Sequence, residues 1–326
     1  MPLSALLISG NTDDVKFFKN VASTLHASFL SQGAGQNFKE LLVDHPKTLV
    51  FWDINADLLL GPENVKKTVL SLSQCVSPNR LFVISDKPLD EISVMLDLPV
   101  FGHFIRRNLN ETLADIFRRL GSACFDSKLK SLPTILTQGA VLETVYLKKR
   151  ADKNTVVDAL SQSLKDKNVN GRVAELVAEA ADELLMNAIF NAPMDKKGVP
   201  YRREIPRGSD FDLNSKEAVK MEFGSFANYF TVCVTDQFGT LQRKTLSASI
   251  KMNYKANEYT ISKEVHTHAG GLGIYDMYKK GLSFAYVVKP GIETQAWLFI
   301  PLASTYKEFK SAFQFFSFLV PDGETT

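Results

Sequence analysis

The sequence predicts an α/β protein made of two domains. The chain has 326 residues, and domains of about 100–200 residues are usual, so two cores are expected. Hydrophobic residues are 45% of the chain and charged residues 23%, which is enough apolar material for both cores. Apolar runs alternate with helical patterns at the start, and a second α/β pattern follows. The domains are predicted at residues 1–122 and 137–302, with a linker at 123–136 and a tail at 303–326.

The N-terminal part is predicted to contain five strand–helix units. Strands that alternate with helices form a parallel sheet covered on both faces. Five such units predict a doubly wound, flavodoxin-like domain with a five-stranded parallel sheet. The strands are predicted at 4–9, 27–30, 48–53, 80–85 and 100–105, and the helices at 13–25, 38–43, 64–72, 89–96 and 109–120.

Polar residues stand where several of these strands end. Asp53 ends the third predicted strand, Ser85 ends the fourth, and Arg106 follows the fifth. Ligands of doubly wound sheets bind beyond the carboxyl ends of the strands. The arrangement resembles a response-regulator receiver domain, which implies that Asp53 matches the phosphoacceptor and Ser85 the hydroxyl residue.

Two departures from the receiver pattern concern its charged residues. Receivers carry an acidic pair for Mg²⁺ after the first strand, where this chain has Ser-Gly-Asn at 9–11, with Asp13 and Asp14 slightly too late. The lysine that receivers carry after the fifth strand is replaced by Arg106 or Arg107. Without Mg²⁺, phosphoryl transfer to the strand-end aspartate loses its main charge neutralisation. We therefore expect a degenerate receiver that is not phosphorylated.

The motif Asp-Glu-Leu-Leu-Met-Asn-Ala-Ile-Phe-Asn-Ala at 182–192 continues a segment rich in helix-forming residues. Glu183, Asn187 and Asn191 follow one another at four-residue intervals, which places them on one helix face. Carboxylate and amide oxygens on such a face can hold Mg²⁺. On its own the pattern also fits an ordinary solvated helix face.

Two later stretches of the sequence contain residues that could also bind a nucleotide. An apolar strand is predicted before Asp236, which is followed by a turn glycine at Gly239. A carboxylate there can accept a hydrogen bond from an exocyclic amine such as that of adenine. The cluster Gly-Gly-Leu-Gly at 270–273 then opens a helical run. Glycines at a helix start let backbone N–H groups approach phosphate.

The order and spacing of these three motifs resemble those of the Bergerat-fold ATPases, which include histidine kinases, gyrase and the anti-sigma-factor serine kinases. The resemblance covers residues 137–302, where it implies a Bergerat α/β sandwich that binds ATP or ADP with Mg²⁺. The Asp motif departs from the family because Phe238 and Thr240, and no second glycine, flank its turn. By the resemblance, Asn187 would be the Mg²⁺ ligand, Glu183 the catalytic acid–base residue and Asp236 the adenine reader, with Asn191, Gly239, Gly270, Gly271, Leu272, Gly273 and Thr294 as further nucleotide-binding residues.

Three activities stay open. The first is an anti-sigma-type protein kinase, in which Glu183 would be the base for the serine of a signalling partner. The second is a histidine kinase, which is disfavoured because none of the five histidines lies between residues 104 and 265. The third is a nucleotide-gated interaction module without catalysis. The sequence does not choose between a kinase and a gated module.

The composition gives no support for a nucleic-acid-binding, metal-binding, secreted or membrane-spanning protein. The formal net charge is +2, which gives no case for a nucleic-acid partner. Cys75, Cys124 and Cys233 lack metal-ligand spacing and are expected to be reduced thiols of a cytoplasmic protein. We expect neither a secretory signal at the N-terminus nor a membrane span.

Three further segments carry expectations. The polar segment 195–215, which includes Arg202 and Arg207, is expected to be a solvated loop. Residues 241–269 correspond to the ATP lid of the resembling family, and their basic side chains could reach phosphate oxygens. Aromatic residues recur at helical spacing over 304–320, which predicts a C-terminal helix. That helix would pack on the chain's own domains or serve for docking or formation of a homodimer.

Overall fold

The structure is a computed structural model that describes residues 3–33, 37–45, 47–87, 89, 92, 94, 102–107, 140–195, 197–202, 204–226, 228–247, 272–303, 305–312 and 314–320. It is a mixed α/β protein, as predicted. The chain divides into two compact units. The first comprises Met1–Gln138 with Phe313–Gly323, and the second comprises Gly139–Ala312 with Glu324–Thr326.

The first unit contains a parallel sheet. Its strands are β1 (Ser4–Ile8), β2 (Ser28–Gln32), β3 (Thr48–Asp53), β4 (Leu81–Ser85) and β5 (His103–Arg106). They pair in the order β2-β1-β3-β4-β5, which is one of the two common doubly wound orders. Every residue of β1, β3 and β4 is buried, as expected for strands covered on both faces. Asp53 and Ser85 therefore end adjacent strands at one edge of the sheet.

Four described helices connect these strands. They are α1 (Thr12–Thr24), α2 (Lys39–Asp44), α3 (Asn55–Leu60) and α4 (Pro62–Ser73). The side chain of Asn11 caps α1 by accepting a hydrogen bond from the N–H of Asp13. The short helix α3 was not predicted. The predicted helix at 109–120 and the linker at 123–136 lie outside the described residues, as does most of the predicted helix at 89–96.

The second unit contains an antiparallel sheet and a group of helices. Its strands are β6 (Val141–Leu147), β7 (Val219–Phe226), β8 (Tyr229–Asp236), β9 (Ser283–Lys289) and β10 (Glu293–Pro301), and they pair in the order β9-β10-β8-β7-β6. Its helices are α5 (Asp152–Asp166), α6 (Gly171–Met186), α7 (Leu272–Lys279) and α8 (Tyr306–Ser311). Helix α6 contacts α5, α7 and β8, so it occupies the centre of the helical layer.

The prediction of a single helix over 304–320 is wrong. Helix α8 ends at Ser311, and residues Gln314–Leu319 form a strand, β11, that pairs antiparallel with β5 in the first unit. The His103 imidazole fixes this strand through a 2.9 Å hydrogen bond between its Nδ1 and the Ser317 hydroxyl. Helical periodicity and a continuous apolar run cannot be told apart over so short a segment. Because all six residues of β11 are buried and aromatic residues favour strands, the segment adds a strand to the sheet.

Candidate functional site

Helix α6 and the π-helical turn that continues it hold three of the predicted site residues: Glu183 lies in α6, and Asn187 and Asn191 lie in the turn. Its N-terminus is capped by the Asn170 side chain, which accepts a hydrogen bond from the N–H of Arg172 at 3.2 Å. The buried face of the helix includes Val177 and Leu184, and this packing fixes its rotation so that Glu183 stays only half-buried. The helix continues into a π-helical turn at Asn187–Asn191. π-Helical turns are rare in proteins, and those that occur are often found at functional sites.

The polar side chains of this helix face one another as the four-residue spacing predicts. Asn187 donates a hydrogen bond from Nδ2 to Glu183 Oε1 at 3.3 Å. Asn191 donates from Nδ2 to Asn187 Oδ1 at 2.6 Å. Glu183, Asn187 and Asn191 therefore form a continuous row of oxygen-bearing groups on one face.

Gly273, near the start of α7, lies directly against Glu183. A Cβ atom at Gly273 would be 2.8 Å from Glu183 Cγ and 3.0 Å from its Cδ, so a larger residue there would require the Glu183 side chain to move. The structure thus brings together the first and third motifs, which are 90 positions apart in the sequence numbering. Gly270 and Gly271 lie outside the described residues, as does the side chain of Leu272.

The environment of Glu183 changes its acidity. Burial raises the pKa of Glu183 above its ordinary value, while the charge of Arg207 and the hydrogen bond from Asn187 lower it. The pKa of Tyr286 on β9 is raised mainly by burial and also by the negative charge of Glu183. Arg207 is exposed and belongs to the segment expected to be a solvated loop, so its influence on Glu183 was not predicted.

Asp236 ends β8 inside the fold, as the sequence predicts. Its Oδ1 atom accepts hydrogen bonds from the N–H groups of Phe238 at 2.9 Å and Gly239 at 3.3 Å. Burial raises the pKa of Asp236 to about 6, although these two bonds and contacts with Thr294 lower it. Thr294 lies opposite Asp236 in the register of β8 and β10, which brings the two predicted residues together.

The turn after Asp236 requires only one glycine. Gly239 has a φ of +60°, and a Cβ atom there would lie 2.1 Å from the backbone oxygen of Lys289. The Gly291 N–H donates to the Gly239 carbonyl at 3.3 Å. Thr240, which follows Gly239 directly, donates from its hydroxyl to the Ala192 carbonyl at 3.1 Å. This bond ties the Asp236 turn to the end of the helix that carries Glu183.

The expectation that residues 195–215 form only a solvated loop is wrong for Arg202, which is buried. It is 5% exposed, and its Nη1 donates to the Ile189 carbonyl at 3.0 Å. Its Nη2 pairs with Glu217 Oε2 at 2.6 Å, and Glu217 also accepts from the Tyr201 hydroxyl. A helix end leaves carbonyl groups without intrahelical partners, and Arg202 satisfies one of them.

Asp53 and Asp14, near the strand ends of the first unit, contact Arg107 and not Arg106. Arg107 Nη2 lies 2.8 Å from Asp53 Oδ1, and its Nη1 lies 3.0 Å from Asp14 Oδ1. Arg106 ends β5 with an exposed side chain. Asp14 is fully buried on α1 and reaches the site although it stands late in the sequence pattern, because the turn after β1 folds α1 back over the strand end. The Ser85 hydroxyl, at the end of the neighbouring strand β4, accepts a hydrogen bond from the Lys87 N–H.

A scan against models of protein families finds none that matches the chain, and a search of curated proteins finds no similar sequence. Within the described residues, no helix is long and apolar enough to cross a membrane. The same part of the chain has no group of three or more His, Cys, Asp or Glu residues placed to hold a metal ion. Most of the predicted lid at 241–269 lies outside the described residues.

Proposed function

We propose that the second unit is a Bergerat-type domain that binds Mg-ATP, and that the protein is a cytoplasmic signalling protein whose first unit is a degenerate receiver. One observation carries the proposal: Gly273 packs against Glu183, so a glycine-opened helix meets the acidic helix face. The Thr240–Ala192 hydrogen bond joins the Asp236 turn to the same helix. Three motifs that are weak singly therefore converge on one place.

The residues present suit an adenine nucleotide. A carboxylate offers about four acceptor positions, so Asp236 can accept an exocyclic N–H in addition to the two backbone bonds that orient it. Its pKa of about 6 leaves it mostly ionised at neutral pH. A buried amine donor would therefore meet a charged acceptor, which makes the stronger kind of hydrogen bond.

The residues at the end of α6 and in the π-helical turn suit the metal. Mg²⁺ prefers oxygen ligands, and Asn187 Oδ1 would provide one, next to the Glu183 carboxylate on the same face. When bound, Mg²⁺ would neutralise charge on the phosphates. Asn191 orients the Asn187 amide so that its oxygen and nitrogen keep fixed positions. Exposed Arg207 would add positive charge on the side of Glu183.

Glu183 is the proposed general base. A base works best when its pKa lies close to the operating pH, and burial raises the pKa of Glu183 in that direction. A carboxylate at this position would accept the proton of a water molecule or of a partner's serine hydroxyl. The proposal is therefore an ATPase or an anti-sigma-type serine kinase, and a non-catalytic nucleotide-gated module is the alternative.

Two variants test this assignment. Glu183→Gln should retain ATP binding and lower turnover by at least about 10²-fold, the low end for general-base catalysis. The full chain is incubated with radiolabelled ATP and cell lysate, and phosphate release and labelled proteins are measured. Asp182→Asn, which changes the neighbouring carboxylate, serves as the matched control and should lower turnover only slightly. Tight ATP binding by the wild type without release or labelling would favour the gated module.

A further inference from the structure

A proline interrupts the hydrogen bonding of the π-helical turn at Asn187–Asn191. In an α-helix the Ile189 carbonyl would accept a hydrogen bond from the N–H of the residue four positions later. That residue is Pro193, which has no N–H to donate. Ile189 is fully buried, so its carbonyl needs a partner from within the protein. A donor from elsewhere in the chain therefore stabilises this turn.

Arg202 supplies such a donor. Its side chain is 6% exposed, and its Nη1 donates to the Ile189 carbonyl at 3.0 Å. The guanidinium also lies over the Phe211 ring, 4.6 Å from the ring centroid, and Phe211 contacts Phe190 edge-on at 5.6 Å between centroids. Because Ile189 and Phe190 both belong to the π-helical turn, Arg202 holds that turn through its backbone and through an aromatic contact.

Glu217 fixes the orientation of the guanidinium. Its Oε2 lies 2.6 Å from Arg202 Nη2 and accepts from the Asn214 N–H at 2.9 Å, and its Oε1 accepts from the Tyr201 hydroxyl. Burial raises the pKa of Glu217, but the hydrogen bonds from Tyr201 and Asn214 and the charge of Arg202 lower it overall, so the carboxylate stays ionised. Taking two charges out of water offsets much of their attraction, so this pair is better suited to orienting the guanidinium than to stabilising the fold.

The turn that Arg202 holds carries the two amide side chains of the proposed site. The Asn187 carbonyl accepts from the Ala192 N–H at 3.0 Å, five residues later, which is the π-helical register. In this register Asn191 Nδ2 lies 2.6 Å from Asn187 Oδ1. A change to the α-helical register would rotate Asn191 relative to Asn187 and displace the amide that orients the Asn187 oxygen.

We propose that Arg202 is a positioning residue of the nucleotide site, whose guanidinium fixes the π-helical turn and through it the Asn187 oxygen. The inference rests on the proposed function, because it takes Asn187 as the Mg²⁺ ligand. In this assignment Arg202 touches neither nucleotide nor metal and acts through the Ile189 carbonyl. Loss of a partner that orients a metal ligand commonly lowers metal affinity about 10–100-fold. Removing the guanidinium should therefore raise the Mg²⁺ requirement and leave adenosine binding through Asp236 unchanged.

Arg202→Lys tests the inference, because lysine keeps the positive charge beside Glu217 but lacks the planar fork that reaches two acceptors in fixed directions. The Mg²⁺ concentration for half-maximal binding of a non-hydrolysable ATP analogue is measured on the full chain, and adenosine affinity is measured without Mg²⁺. Tyr201→Phe is the matched control, since it removes one hydrogen bond from Glu217 and leaves the Arg202–Ile189 bond in place. If Arg202→Lys does not fold, Arg202→Met combined with Glu217→Gln replaces it, because this double variant leaves no buried charge unpaired.

Arg202→Lys should need about 10–100-fold more Mg²⁺ than the wild type and bind adenosine within about twofold of the wild-type affinity. Tyr201→Phe should keep the wild-type Mg²⁺ requirement. An unchanged Mg²⁺ requirement in Arg202→Lys, with normal nucleotide binding by the wild type, would overturn the inference and leave the proposed function intact. An equal shift in Tyr201→Phe, or a parallel loss of adenosine affinity, would also overturn it, because either result indicates general destabilisation.

Two further outcomes contradict the positioning role in different ways. A wild type that binds no nucleotide would refute the proposed function and this inference with it. If Arg202→Lys and the double variant are both unfolded while Tyr201→Phe is folded, Arg202 serves the fold as a whole and is not a positioning residue of the site. Circular dichroism of each variant separates these two outcomes.

Discussion

Replacing Gly273 with alanine tests the contact on which the proposed nucleotide site rests. The new Cβ would lie 2.8 Å from Glu183 Cγ, and non-bonded carbon atoms prefer about 3.5–4.0 Å. The Glu183 side chain must therefore move by about 0.7–1.2 Å. Its 3.3 Å hydrogen bond from Asn187 Nδ2 is already long, so a further displacement would break it.

The expected change in the folding stability of Gly273→Ala is the sum of two opposing contributions. Overpacking costs about 1–3 kcal/mol, whereas alanine is better than glycine in a helix by about 1 kcal/mol. The net loss of folding stability should then be at most about 2 kcal/mol. A displacement of about 1 Å at a reacting group can cost about 10²-fold in rate. Gly273→Ala should accordingly lower ATP turnover about 10²-fold while the protein stays folded and binds adenosine through Asp236.

Gly171→Ala is the matched control for this experiment. Gly171 also stands at the start of a helix, but its added Cβ would have no atom within 4 Å. Thermal unfolding, adenosine calorimetry and ATP turnover are measured for both variants. If Gly273→Ala turns over ATP like the wild type and Gly171→Ala, then the Gly273–Glu183 contact does not matter for function. If Gly273→Ala lost both adenosine binding and folding stability, the result would show only that the fold was damaged.

Three other variants or conditions probe the remaining residues. Asn187→Ala should weaken Mg-ATP binding and leave adenosine affinity nearly unchanged in calorimetry, because Asn187 is assigned to the metal; equal losses for both ligands would contradict that. Adenosine affinity should fall about tenfold from pH 7.5 to pH 5, since Asp236, with a pKa of about 6, becomes protonated, and Asp236→Asn should abolish this dependence. The first unit should not form an acyl phosphate with acetyl phosphate, and stoichiometric labelling that disappears in Asp53→Ala would refute this expectation.

The same pKa sets the effect of Asp236 on stability. The folded state holds the Asp236 proton more tightly than the unfolded chain, whose carboxyl has the ordinary value of 3.8. Wild-type stability should therefore fall, relative to Asp236→Asn, as the pH rises from about 4 to 7, by up to about 3 kcal/mol. Urea unfolding of both proteins across this range measures the difference. A flat difference would mean that the Asp236 carboxyl is not perturbed.

Local patterns in the sequence were sufficient for much of the fold and site. An apolar run that ends in an acid placed Asp53 and Asp236 at strand ends, because burial and chain direction are both local properties of a strand. The four-residue spacing placed Glu183 and Asn187 on one helix face, because helical periodicity is also a local property of the chain. The aromatic run at 314–319 was misjudged, since its pairing with β5 depends on residues about 200 positions away in the numbering.

The arginines show what local patterns miss. Arg107, Arg202 and Arg207 each act on groups distant in sequence, namely Asp14, Ile189 and Glu183. A long flexible side chain in a polar segment carries no periodic signal that reveals its partner. Asp14 was likewise judged too late in the sequence, although the turn after β1 brings it to Asp53 through Ser9.

Calorimetric titration of the full chain with a non-hydrolysable ATP analogue and Mg²⁺ tests the central claim most directly. The wild type should bind one nucleotide per chain. Asp236→Asn should bind it more weakly by about 1–3 kcal/mol, the usual cost of depriving a buried donor of its charged acceptor. A wild type that binds no nucleotide in the presence of Mg²⁺, while circular dichroism shows it folded, would contradict the account.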